Sequence, residues 1–181
     1  MLERTFKRLV LVGLFLIVSG CGWGGRDGWR GAIDHQVGQL GYRNWIVIAE
    51  SSFPAHSRPG TRQVNTYQAI PEVLDEVLRT LERSEHVRPK IYVSREMNLV
   101  ENDYAPGIQQ LRVDVTQALH AYETVELEHD SIVTLMLDAQ RSFDVLVLRT
   151  TTALPYSSVF LELQPGYWDG EAEARLREIM R

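Results

Sequence analysis

Five short apolar runs recur along this chain, most of them rich in β-branched residues and most separated by a segment of helical spacing. The runs are "NWIVIAE" at 44–50, "KIYVS" at 90–94, "VELEH" at 125–129, "DVLVLRT" at 144–150 and "VFLELQPG" at 159–166. A run apolar at every central position, as "WIVIA" is, has to be covered on both sides of its pleat. Between the runs, "IPEVLDEVLRTLER" places Ile70, Val73, Leu74, Val77, Leu78 and Leu81 on one helical face, with Pro71 in the first turn. Helical spacing also marks "GAIDHQVGQLG" at 31–41, "NDYAPGIQQLRVDVTQALHAYE" at 102–123, "DSIVTLMLDAQRSF" at 130–143 with Asp130 as its cap, and the charged "DGEAEARLREIMR" at 169–181. Buried strands alternating with amphipathic helices predict a three-layer α/β domain, a mostly parallel sheet flanked by helices.

The first 21 residues stand apart. Arg4, Lys7 and Arg8 precede a ten-residue apolar run, "LVLVGLFLIV", which ends in "VSGC". Spanning a bilayer takes about 20 residues, so this run has the length of a signal-peptide core. Small residues leading into the chain's single cysteine form the pattern cut by lipoprotein signal peptidase, so Cys21 is expected to carry a lipid. That anchor would hold the protein to a membrane of the cell envelope, at the periplasmic face of the outer membrane or at the cell surface. Gly22 rather than Asp after the cysteine is compatible with the outer membrane. Residues 22–32 form a Gly-rich tether whose Trp23 and Trp29 are expected to pack on the domain. The domain itself is expected over 33–166, with a charged helix over 167–181.

Charge narrows the partners. The whole chain has a formal charge of −5, and losing three basic and one acidic residue with the leader leaves −7. No Lys/Arg cluster offsets this, which argues against nucleic acid. With Cys21 lipidated, neither a disulfide nor a thiolate metal site can form. No Gly-rich phosphate loop, nucleophile elbow or paired-histidine metal spacing occurs, so neither cofactor nor metal is expected. The histidines His35, His56, His86, His120 and His129 are scattered, with His86 and His120 expected on solvent-facing helix surfaces.

Chemistry can then reside in few places. Tyr42 follows the Gly41 that stops the first helix. Glu50 ends the first strand, and Ser52 and His56 lie in the loop beyond it. Tyr156 and Ser158 lie in "LPYSSV", between the last two strands, where a simple hairpin is the plain alternative. In parallel sheets, loops beyond the carboxyl ends of strands build sites, which favours the loop after Glu50.

The segments "LGYRNWIVIAESSFPAHS", "AIPEVLDEVLRTLE" and "PYSSVFLELQPG" together resemble the ribose pyranase and fucose mutarotase family, of RbsD/FucU type. That resemblance implies a pocket in which a helix-end histidine moves protons between ring oxygen and anomeric hydroxyl. A strand-end aspartate accepts a hydroxyl, and a late Tyr-x-Asn binds others. It also implies subunits arranged in a ring, each completing its neighbour's site. Carried over by position, the catalytic pair becomes Tyr42 and Glu50, and the binding residues become Ser52, His56, Tyr156 and Ser158. The family's Gly-His-x-Asp aspartate becomes Asn44. Its second histidine has no counterpart in register, although His129 lies close to the position.

Tyrosine at the histidine position changes the expectation. An unperturbed phenol titrates near pH 10 and shuttles protons poorly at neutrality, and losing a general acid/base typically costs about 10²–10⁴-fold. The sequence therefore points to an envelope-anchored lipoprotein that binds a monosaccharide, with turnover weak or lost. The alternative is an active mutarotase in which Glu50 is the base and Tyr42 the donor to the ring oxygen. A third reading is a protein-interaction module that keeps the fold and its ring but binds no sugar.

Overall fold

A computed structural model describes residues 28–181. The leader, Cys21 and the first part of the tether lie outside the described residues. The elements, in chain order, are α1 (Gly28–Val37), β1 (Trp45–Ala49), β2 (Thr61–Asn65), α2 (Ile70–Glu82), β3 (Val87–Ser94), α3 (Arg95–Leu99), α4 (Ile108–Ala118), β4 (Thr124–Leu127), α5 (His129–Ala139), β5 (Val145–Arg149), β6 (Val159–Pro165) and α6 (Gly170–Ile179). The six strands form one sheet in the order β2-β5-β1-β6-β3-β4. β1 pairs in parallel with β5, β5 with β2, and β3 with β4. Only β6 runs the other way, antiparallel to both β1 and β3. The mostly parallel three-layer α/β domain is what forms.

All five residues of β1 are buried, because the strand lies inside the sheet with helices on either side. Its side chains alternate between faces. Ile46 and Ile48 join Trp29, Ile33 and Val37 of α1, the apolar stripe of α2, and Ile108, Leu111 and Val115 of α4. Trp45, Val47 and Ala49 face the other way, onto Ile132 and Met136 of α5, with Tyr92, Val145, Val147 and Phe160. One face is therefore roofed by α1, α2 and α4, and the other chiefly by α5. All six apolar residues expected on the inner face of α2 are buried. Each such side chain contributes about 1.5–3 kcal/mol on burial.

Several boundaries differ from the expectation. Residues 28–32, expected as tether, are helical, because Trp29 is buried against the core and draws α1 back to Gly28. β2 was not expected. "TRQVN" has a single apolar residue, and it forms a strand because it pairs with β5 along a sheet edge where water serves the polar side chains. The helix expected over 102–123 is confined to Ile108–Ala118. Before it, Gly107 takes φ 99° while its N–H donates to Asn102 Oδ1 at 3.0 Å. α3 was also unanticipated. Finally, α5 starts at His129, so Asp130 sits in its first turn rather than at its cap.

Candidate functional site at the carboxyl edge of the sheet

β5 and β6 lie on opposite sides of β1, so the segment joining them is no hairpin. It must cross the carboxyl end of β1, where Thr150 N and Thr150 Oγ1 both donate to Ala49 O and Ser51 N donates to Thr152 O. This crossing brings "LPYSSV" onto Glu50. Glu50 N donates to Ser158 Oγ at 3.1 Å, and Ser157 N donates to Glu50 Oε2 at 3.3 Å. Ser52 Oγ donates to Glu50 Oε1 at 2.9 Å, and Phe53 N closes a turn onto Glu50 O at 3.1 Å. Each carboxylate oxygen thus holds one protein donor. A carboxylate has about four lone-pair positions, which leaves acceptor capacity for ligand hydroxyls. Ser158 is itself buried, so it supports the Glu50 backbone from beneath.

Tyr156 stands beside this cluster in an unusual conformation, φ 59°. A bulky residue in the left-handed region is costly, and such outliers gather at functional sites. Its partner is His129. The two rings meet edge to face at 5.5 Å, and His129 also meets Phe160 at 6.1 Å. Ser94, buried at the end of β3, holds His129 Nδ1 at 3.0 Å. Both oxygens of Glu96, on α3, accept the His129 N–H at 3.0 Å. Glu96 therefore caps the first N–H of α5 from outside the helix, where the N-cap residue Glu128 offers no side-chain bond. Burial raises its carboxyl, but the hydrogen bonds from His129 N and its own N–H, with the nearby charges of His129 and Arg95, outweigh burial and leave it below the usual glutamate range.

The sequence-derived residues divide by location. Glu50, Ser52, Tyr156 and Ser158 come together at the carboxyl edge. His56 lies in the same loop, its ring 5.7 Å from the Phe53 ring. Tyr42 does not join them. It precedes β1, more than half exposed, and the Arg43 guanidinium lies 5.5 Å from its ring and 5.2 Å from that of Phe143. Five residues of extended strand span about 16 Å, so within one chain Tyr42 and Glu50 occupy opposite edges of the sheet. A single subunit cannot use the pair as acid and base. Asn44 closes the α1–β1 turn by accepting from Gly41 N at 2.7 Å. His86 and His120 are exposed, as expected, but lie just beyond the ends of α2 and α4 rather than on helix surfaces.

His129 is the residue that register alone placed outside the site. Its signal was there, a histidine at the start of the helix before β5, but its place beside Tyr156 depends on where α5 begins. Glu96 sets that start from another part of the chain.

No family model and no curated protein sequence matches this chain. Solved structures do. Bacillus subtilis RbsD, in complex with D-ribose, superposes with a TM-score of 0.50 at 19% identity, covering 72% of this chain and 89% of RbsD. The fucose mutarotase of Streptococcus pneumoniae, in complex with L-fucose, gives a TM-score of 0.47 at 17% identity, covering 71% of this chain and 87% of the mutarotase. The chain therefore has the RbsD/FucU-like α/β fold.

Proposed function

We propose that this protein is a lipid-anchored, monosaccharide-binding protein of the cell envelope, and that its ligand sits at the carboxyl edge against Glu50, Ser52, Tyr156 and His129. The observation that carries this reading is the convergence on Glu50. A half-buried carboxylate, kept in place by Ser52 Oγ and Ser157 N, has lone pairs left over beside an exposed aromatic residue. Sugars ask for this combination, since their hydroxyls need acceptors and their C–H faces pack on rings. The RbsD structure holds D-ribose, and the shared fold supports the class of ligand. The anchor is supported by the basic start, the ten-residue apolar run and "VSGC" at Cys21.

Turnover is weak or lost, because Tyr42 stands at the family's histidine position and sits a strand length from Glu50. A homo-oligomer would change this geometry by bringing a neighbour's Tyr42 edge against the Glu50 edge. His129 favours a second reading, an active mutarotase. Imidazole is suited to proton transfer near neutral pH, and Ser94 orients this one beside Tyr156.

Saturation-transfer NMR with ribose, fucose, galactose and glucose reads binding and anomer exchange together. Binding without exchange above the buffer rate, reduced at least tenfold by Glu50→Gln, is the expected result. Exchange above that rate, abolished by His129→Ala, would establish the mutarotase. If no sugar bound, the likeness would be one of fold only.

A further inference from the structure

Four buried side-chain polar atoms lack a partner among the described residues, and two of them, His56 Nε2 and Arg149 Nε, flank the same residue, Phe53. The Arg149 guanidinium donates through Nη2 to Phe53 O, while the His56 ring lies against the Phe53 ring. Arg149 has no ion pair with any described residue. It ends β5 in register with Ala49, next to the Glu50–Phe53 turn. A half-buried guanidinium without a carboxylate is unusual, because burying a cation is costly unless an anion or several acceptors compensate it. Leaving a buried donor unsatisfied adds its own desolvation penalty.

Resting on the sugar-binding reading above, we propose that the ligand is an anionic sugar whose acidic group is taken by Arg149 and His56. Arginine presents N–H groups in a planar fork that matches carboxylate and phosphate oxygens. Here Nη2 gives a hydrogen bond to Phe53 O, Nε is among the donors without a partner, and His56 Nε2 is likewise unpartnered on the ring side of the same Phe53. Glu50 makes the orientation unique. Its carboxylate repels the acidic group and accepts hydroxyls, so the ring lies with its hydroxyl end at Glu50 and its acidic end at Arg149. The Glu50–Phe53 turn links the two ends, since Glu50 opens it and Phe53, which closes it, accepts from Arg149.

Isothermal titration of the purified full chain in detergent compares galactose with galacturonate, glucose with glucuronate, and glucose with glucose 6-phosphate. An acidic sugar is expected to bind at least tenfold more tightly than its neutral counterpart, and whichever of uronate or phosphate shows the advantage names the acidic group. Arg149→Gln should abolish that advantage and Arg149→Lys should keep part of it. His56→Ala, which leaves the Arg149–Phe53 bond in place, should reduce it several-fold. Equal affinity for neutral and acidic sugars would overturn this inference while leaving the sugar-binding reading intact. An advantage unchanged in both Arg149→Gln and His56→Ala would also overturn it. Failure of every sugar to bind would overturn both readings.

Discussion

At the scale of single residues, the candidate site depends on two carboxylates doing different work, Glu50 after β1 and Glu96 after β3, on either side of β6. Glu50 takes one donor on each oxygen and keeps lone pairs unused, whereas Glu96 has given both oxygens to the first N–H of α5 and so fixes His129. Because the Glu96 carboxyl is held below its ordinary value of 4.5, its stabilising effect is complete above that value. The effect is lost as pH falls through the lower, folded value. Glu96→Ala should therefore cost about 0.5–2 kcal/mol at pH 7, the usual range for a lost helix cap. In urea melts, its difference from wild type should shrink toward zero in acid. A difference independent of pH would show that Glu96 acts by packing alone. The residue scale is also where sequence reading met its limit. Glu50, Ser52, Tyr156 and Ser158 were identified by type and position, yet nothing in their spacing showed that Ser158 supports the Glu50 N–H and that the Ser157 backbone N–H, not its side chain, reaches the carboxylate.

Among the elements, the two sides of the sheet are unequally protected. α5 is the helix that packs on the face carrying Trp45, Val47 and Phe160, and Met136 is fully buried beneath it. Met136→Ala should cost about 2–5 kcal/mol. The loss should also loosen His129, seen as weaker protection of α5 amides in hydrogen exchange, while α2 keeps its protection. Uniform loss across both helices would indicate instead that the layers unfold as one. α6 lies at the other extreme, with no buried residue. It is held by its Asp169 cap onto Ala172 N at 2.8 Å and by the pairs Arg175–Glu171 and Arg177–Glu173. Ending the chain at Asp169 should leave the stability of the monomer within about 0.5 kcal/mol. A larger loss on thermal melting would mean that α6 packs against a second copy of the chain.

For the whole molecule, the proposed anchor and the described domain make separable claims. Cys21→Ser should abolish palmitate labelling in cells and release the protein from the membrane fraction, while sugar binding by the purified chain stays unchanged. Retention on the membrane after that substitution would argue for a different attachment. Local patterning determined much of the rest. The continuous apolar run at β1 and the six-residue stripe on α2 fixed a buried strand and a helix against it, because burial on both faces or on one stripe leaves a periodic trace. The layer architecture follows from that alternation. Strand order does not, since pairing between distant segments has no local signature. β2 leaves no trace in the sequence because an edge strand needs little apolar surface, and a hairpin stays open as the plain alternative for "LPYSSV" because nothing local says whether β5 and β6 are neighbours. Only the tertiary structure placed β1 between them. Tertiary contacts also bring Glu96 of α3 to the start of α5 and His129 to Tyr156, while the insertion of β1 carries the crossing segment onto Glu50 and leaves Tyr42 at the far edge. The stiffness of a five-residue strand fixes the separation.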